Sequence, residues 1–337
     1  MDFDFSIITG KVIHDIIHGN VAECIRHVAD AYLTHGAGRT VNPDSYFLRF
    51  PEKPDARIIA LPAFLGGDVD VSGIKWIASY PANVQRGFPR ASAVLVLNSY
   101  ETGYPFACLE ASIISAARTA GSAVLAAQWM NGGARDTRRL GIVGNGLIAR
   151  YIYTFLMEAG WKAEEVLLFD STPGEAERFA AQVCRRERHQ RIGVAPDMAT
   201  LMRQSDLIVL ATTAGTPHLH DASLLAHNPL VLHISLRDLA PELLLRAYNI
   251  VDDVEHVMKA NTSTHLAEKL TGGRSFITGT LPELMQGRCK VDRSRPIIFS
   301  PFGLGVLDLA VGKWVYDQAV ATGKAIPIKD FFFELTR

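Results

Sequence analysis

Residues 138–170, RRLGIVGNGLIARYIYTFLMEAGWKAEEVLLFD, decide how the rest of the chain is read. Leu140 to Val143 is a short apolar run with the texture of a buried strand. It leads directly into Gly144-Asn145-Gly146-Leu147-Ile148-Ala149, a G-x-G-x-x-A turn. An amphipathic helix follows and stops at Gly160, and a second strand, Val166 to Phe169, ends on Asp170. In this setting Gly144 allows the tight turn, Gly146 clears space for a pyrophosphate, and Ala149 lets helix and strand pack closely. The helix start at Leu147 and Ile148 offers unpaired N–H groups and a positive dipole end to phosphate. Asp170 can accept hydrogen bonds from a ribose diol and would repel a 2′-phosphate. Only Ser171 and Thr172 follow it, with no Arg, so the pattern points to NAD rather than NADP. The competing reading is a plain glycine turn in an α/β core.

Working outward, 337 residues suggest about two domains. A net charge of −1 gives no global field for nucleic acid or an anionic membrane surface. No apolar run has the length of a membrane span, and the N-terminal MDFDFSIITG lacks a secretory pattern. Four scattered cysteines, Cys24, Cys108, Cys184 and Cys289, fit reduced thiols in a cytoplasmic protein.

N-terminal to the glycine loop, residues 11–36 have a helical pattern. Ser45–Phe50, Arg57–Leu61, Val69–Ile77, Ala93–Leu97 and Tyr104–Leu109 read as strands of a mainly antiparallel sheet. Glu110 to Met130 reads as a long helix leaving that sheet. C-terminal to Asp170, helix and strand alternate: a charged helix Glu175–Arg188, strands Asp206–Thr213, Leu230–Leu236, Ile250–Asp252 and Pro296–Ser300, with helices in 254–270. Alternation of this kind predicts a parallel, doubly wound sheet. A final helix, roughly Val306 to Thr322, should return to the first domain and form the dimer contact there. The expected fold is therefore α/β. A Rossmann-type domain, residues 126–304, is inserted into a discontinuous α+β substrate and dimerisation domain, residues 1–125 and 305–337.

Arg49, Lys75 and Arg118 are cations in otherwise apolar segments. Each alone could be a salt bridge or a snorkelling side chain. Together they suit an anionic substrate, because arginine grips a carboxylate bidentately. Asp238 follows the strand LVLHISL, at the rim where ligands bind in this architecture, though it could equally cap the helix starting near Pro241. Thr212 and Thr213 end one strand and Ser235 ends the next, which places all three with the expected cofactor site. His233, flanked by Leu232 and Ile234, reads as a core histidine. The other histidines have no metal-ligand spacing, so no metal is expected, and there is no G-x-S-x-G nucleophile motif.

The segments SGIKWIAS, ISAARTAGS, GIVGNGLIA and HISLRDLAPE together resemble the ornithine cyclodeaminase/mu-crystallin family. NPDSYFLRFP, RIIALP, RASAVLVLN, ETGYPFACLEAS and SPFGLGVLDLA look like its dehydrogenase branch, which makes 2,3-diaminopropionate for siderophores and peptide antibiotics. The resemblance covers nearly the whole chain. It implies NAD-dependent oxidation of N-(2-amino-2-carboxyethyl)-L-glutamate to 2-oxoglutarate and L-2,3-diaminopropionate, in a homodimer formed through the first domain. It also implies Arg49, Lys75 and Arg118 as substrate ligands, Asp238 as catalytic acid, Lys75 as a second proton shuttle, and an active site in the interdomain cleft. One departure stands out. Many cyclodeaminases continue from this aspartate as D-x-P-x-K-x-E, whereas here Asp238-Leu239-Ala240-Pro241-Glu242 lacks the lysine, which argues against plain ornithine cyclisation. The alternatives are an ornithine or lysine cyclodeaminase, an imine reductase, or a non-catalytic, mu-crystallin-like NAD(P)-binding protein.

Overall fold

A computed structural model describes residues 5–333. They divide into two compact units, one built from the chain up to Arg118 and from Leu304 onward, the other from Thr119–Gly303. The division falls inside a single helix, Ser112–Met130.

The first unit starts with strand β1 (Phe5–Ile8) and helices α1 (Gly10–Gly19) and α2 (Val21–Gly36). One continuous helix was expected over 11–36. Asn20 breaks it, leaving helical geometry at φ −146°, ψ 52° and turning its side-chain amide back to the Ile16 carbonyl at 3.1 Å. Strands β2 (Thr40–Val41), β3 (Tyr46–Phe50), β4 (Lys53–Leu65), β5 (Val71–Ser79), β6 (Ala91–Ser99) and β7 (Pro105–Glu110) follow, then α3 (Ser112–Met130). The sheet runs β16-β1-β7-β6-β5-β4-β2, with β3 also on β4 and β16 being Ile326–Ile328. Its pairs are antiparallel except β1 with β7.

Strand period two gives this sheet unlike faces. The closing helix, Gly305–Ala321 and labelled α11 below, covers one of them. Gly312 permits its close approach, since a Cβ there would lie 2.2 Å from Leu95. The helix is apolar on nearly every side, and Val306, Leu307, Leu309, Val311, Trp314 and Val315 are buried. A helix apolar all round belongs in a core. It packs on the first unit, as expected. The opposite face is open. Tyr46, Ala60, Trp76 and Val94 stand directly opposite one another across four strands, and Tyr46 is 74% exposed and Trp76 41%.

The second unit contains β8 (Asp136–Val143), α4 (Leu147–Glu158), β9 (Lys162–Phe169), α5 (Glu175–Gln182), β10 (Arg191–Val194), α6 (Met198–Gln204), β11 (Leu207–Leu210) and β12 (Leu230–His233). It continues through α7 (Pro241–Leu244), β13 (Tyr248–Val251), α8 (Val254–Val257), α9 (Ser263–Thr271), β14 (Ile277–Thr280), α10 (Leu281–Met285) and β15 (Ile297–Ser300). Its sheet, β10-β9-β8-β11-β12-β15-β13-β14, is parallel throughout, as the alternation predicted. Strand order reverses between β8 and β11, the switch point where such sheets bind ligands. Several expected elements are shorter than their patterns, β11 among them at Leu207–Leu210. Helix α5 ends before Val183, and the main chain of Arg185 donates instead to the Tyr153 hydroxyl at 2.7 Å. Strand β12 ends at His233 because Leu236 turns the chain at φ 68°. Among the described residues no helix is long and apolar enough to cross a membrane.

Candidate functional site

Strand β8 delivers the glycine loop to the switch point. Gly144 has φ 82°, and a Cβ there would lie 2.7 Å from the Ala211 carbonyl oxygen, so only glycine fits the turn. Gly146 is different: nothing lies within 4 Å of where its Cβ would be. That open space sits at the start of α4, whose N-cap Gly146 makes no side-chain cap hydrogen bond. The first-turn amides of Leu147 and Ile148 thus face it without a competing side chain. Asn145 is buried, and its Oδ1 has no hydrogen-bond partner among the described residues. Asp170 lies beyond β9 and braces the loop, accepting the Asn145 N–H at 2.7 Å and the Thr172 N–H at 2.8 Å. The open space at Gly146, the first turn of α4, a buried acceptor without a partner and a carboxylate at the second strand end fit a dinucleotide.

In the first unit, Lys75 and Arg118 come together on a residue the sequence reading gave no role. Lys75 points to the face covered by α11 and is 2% exposed, while its neighbour Trp76 points the other way. Its Nζ lies 2.7 Å from Asp308 of α11 and 3.1 Å from the Ser115 hydroxyl. Arg118 Nε donates to the other Asp308 oxygen at 3.3 Å. Burial depresses the Lys75 ammonium most. Asp308 pulls it back up and Arg118 pushes it down again, leaving it at about 8. Arg49 does not join this cluster. It is exposed at the far end of the β3–β4 hairpin, directly opposite Arg57, with its guanidinium 5.3 Å from the Phe47 ring centre. Register does place it on the same sheet face as Lys75, since Arg49 pairs with Arg57 and Leu61 with Lys75.

Asp238 is fully buried. Ala240, not Asp238, caps α7, so the capping alternative falls. Its carboxylate accepts hydroxyl hydrogen bonds from Thr212 and Ser235 and a ring N–H from His218 Nε2 at 3.1 Å. Burial alone would raise this carboxyl. His233, Ser235 and Thr212 overcome it and hold the group below the usual carboxylate range. The positive φ of Leu236 closes this turn, a strained conformation of the kind that gathers at functional sites. Thr212 and Ser235, read from sequence as cofactor contacts, spend their hydroxyls on Asp238, while Thr213 is exposed. His233 is buried as expected, yet it is not an inert core residue: its Nε2 accepts the Asp238 main-chain N–H at 3.1 Å and its Nδ1 lies 3.3 Å from Ser300 Oγ.

The sequence pattern of the ornithine cyclodeaminase/mu-crystallin family matches residues 11–323. The chain belongs to this family. N-((2S)-2-amino-2-carboxyethyl)-L-glutamate dehydrogenase of Staphylococcus aureus is 27% identical over 300 residues, 87% of this chain and 88% of that protein. Alanine dehydrogenase of Archaeoglobus fulgidus is 27% identical over 336 residues, 96% and 98% of the two chains. Among solved structures, an archaeal alanine dehydrogenase dimer with bound NAD superposes with a TM-score of 0.85 at 25% identity, covering 97% of this chain and all of that one.

Within this family member, the residues that sequence reading missed share one property: their partners are distant in sequence. Lys75 and Asp308 are 233 positions apart. The available signal was a single acid in the apolar run GLGVLDLA, the mirror image of the single lysine in GIKWI. His218, twenty positions before Asp238, follows β11 in a loop with no period to mark it. Among the described residues no group of His, Cys, Asp or Glu is arranged to hold a metal.

Proposed function

We propose that this protein oxidises N-(2-amino-2-carboxyethyl)-L-glutamate, releasing L-2,3-diaminopropionate and 2-oxoglutarate. It is an NAD-dependent oxidoreductase acting on the CH–NH bond of an amino acid, as its family relatives are. The observation that carries the substrate reading is the buried Lys75–Asp308–Arg118 cluster. Its two cations suit an anionic ligand, and the proposed substrate brings three carboxylates. Arg49, on the same sheet face, supplies a further cation.

NAD, when bound, accepts a hydride from the glutamate α-carbon. The residues of this chain do the rest. The first-turn amides of Leu147 and Ile148 hold the pyrophosphate, with Gly146 leaving the room, and Asp170 takes the adenosine ribose. Lys75 and Arg118 bind carboxylate, and Lys75, poised near pH 8, can exchange a proton as the substrate amine becomes an imine and water adds. Asp238 is the acid–base centre on the NAD side of the reaction. A second copy of the chain covers the open apolar row of Tyr46, Trp76 and Val94, giving a homodimer. The protein acts in the cytoplasm.

The test is NADH formation from NAD with this tricarboxylate, alanine, proline, ornithine and lysine as separate substrates, with 2-oxoglutarate and 2,3-diaminopropionate assayed as products. Turnover of the tricarboxylate at far higher kcat/KM than the others is the expected result. Preference for alanine, whose dehydrogenase is equally similar, would overturn the substrate assignment.

A further inference from the structure

We propose that His218 is the proton carrier at Asp238, in addition to Lys75, and that Asp238 acts through it as a positioning carboxylate. This rests on the functional reading above and refines the role given there to Asp238. Asp238 is 0% exposed, and both its oxygens are engaged by Thr212, Ser235 and His218. A carboxylate so enclosed does not meet a substrate nitrogen itself. His218 is its outlet: the side chain is 37% exposed, and its Nε2 lies 3.1 Å from Asp238 Oδ1. The loop is fixed in the same place by main-chain bonds, since the N–H groups of His218 and Leu219 both donate to the Asp238 carbonyl, at 3.0 and 2.9 Å. With Nε2 donating to a carboxylate, the neutral ring carries its lone pair on Nδ1. A buried acid, an imidazole held by it and a second ring nitrogen on a partly exposed side chain form the orienting and accepting halves of a general base.

The proton accounting closes. The substrate's secondary ammonium gives one proton to Nδ1, leaving a neutral amine and an imidazolium paired with Asp238. The amine then loses hydride, with its two electrons, from the α-carbon to NAD and becomes a protonated imine, while the ring releases its proton to solvent. Water adds to the imine carbon, and the ring takes the proton that water sheds. It hands that proton to the departing nitrogen as the carbinolamine opens, and the carbinol hydroxyl proton passes to the released amine, leaving keto acid and a primary ammonium. Asp238 stays ionised throughout. Other titratable groups near the ring are His233, across the same carboxylate, and His220 and Asp221 along the chain, the latter paired with Arg203.

His218→Gln keeps an N–H donor for Asp238 but has no titrating nitrogen. His218→Ala leaves space for added imidazole. We expect both to lower kcat for NADH formation by roughly 100-fold or more, with NADH affinity by fluorescence unchanged. Imidazole should restore His218→Ala in a saturable way that follows its free-base fraction, which a merely structural histidine would not allow. His218→Gln with near-normal kcat, or His218→Ala that binds NADH normally and ignores imidazole, overturns the proposal. A wild-type protein that never reduces NAD with the tricarboxylate defeats the functional reading and this inference together. An active wild type matched by His218→Gln defeats this inference alone.

Discussion

Asp308 and Asp238 are both fully buried carboxylates, one in each unit, and they are stabilised in opposite ways. Asp308 lies between two formal cations, Lys75 and Arg118. Asp238 lies among hydroxyls and imidazoles, donors without fixed charge. The first arrangement holds a carboxylate with two formal charges. The second holds a negative charge with His233 and two hydroxyl donors and leaves it next to a partly exposed imidazole. A site that recognises anions and a site that manages protons need these different surroundings.

Removing Asp308 should have the largest effect. In Asp308→Ala, Lys75 and Arg118 face each other without their shared acceptor. Breaking a buried ion pair from one side costs ~3–5 kcal/mol. Urea denaturation of the variant should show a loss in that range, and a loss under ~1 kcal/mol would mean the two cations are neutralised by other groups. Asp238→Asn should cost less stability, ~1–3 kcal/mol, because its donors keep a weaker, neutral acceptor. Its main effect should appear in turnover, down about 100-fold or more with NADH affinity little changed. If the Asn variant instead loses NADH binding and keeps kcat, Asp238 belongs with the cofactor and the contrast with Asp308 fails.

The two aspartates also show what the sequence could and could not convey. The second unit was legible because its signals are local: strand, G-x-G-x-x-A, helix, strand and acid all fall within 138–170, and the parallel sheet follows from alternation. Asp238 was legible for the same reason, as a polar residue just past a strand. What surrounds it was not, since His218 and Thr212 belong to the loop of a neighbouring strand and Leu236 ends β12 early by an αL turn. In the first unit, Lys75 stood out as one charge in an apolar strand, but its partner arrives from the other end of the chain. Arg49 shows the limit of inference by residue type. It looked like Lys75 in sequence, yet it sits exposed at a hairpin end, where only register relates it to the cluster.

Titration separates the clusters further. Folding lowers the Lys75 ammonium from 10.5 to about 8, so between these values the unfolded chain holds a proton that the folded one has released. Stability contributed at this site is therefore lowest below pH 8 and rises with pH up to about 10.5, by at most ~1.4 kcal/mol per pH unit. Wild type should gain stability over Lys75→Met across that window in parallel denaturation curves. Two parallel curves would mean that Lys75 titrates as an ordinary exposed lysine and is not held between burial and Asp308.

A third carboxylate, Asp170, sharpens the comparison from the weak end. It is only half-buried, and it is held by two main-chain N–H donors, those of Asn145 and Thr172, with no cation in contact among the described residues. Solvent screens its charge, so its replacement should cost less than either buried acid. Asp170→Ser removes the acceptor for the ribose diol and one brace of the glycine loop. NAD affinity should fall about tenfold, ~1.4 kcal/mol, with thermal stability nearly unchanged. The charge effect should show in selection: without the carboxylate a 2′-phosphate is no longer repelled, and the ratio of NADP to NAD affinity should rise. Fluorescence titration of both reduced cofactors against wild type and variant reads this directly. Tighter binding of NADPH than NADH by the wild-type protein would show that Asp170 serves the loop alone and selects no ribose.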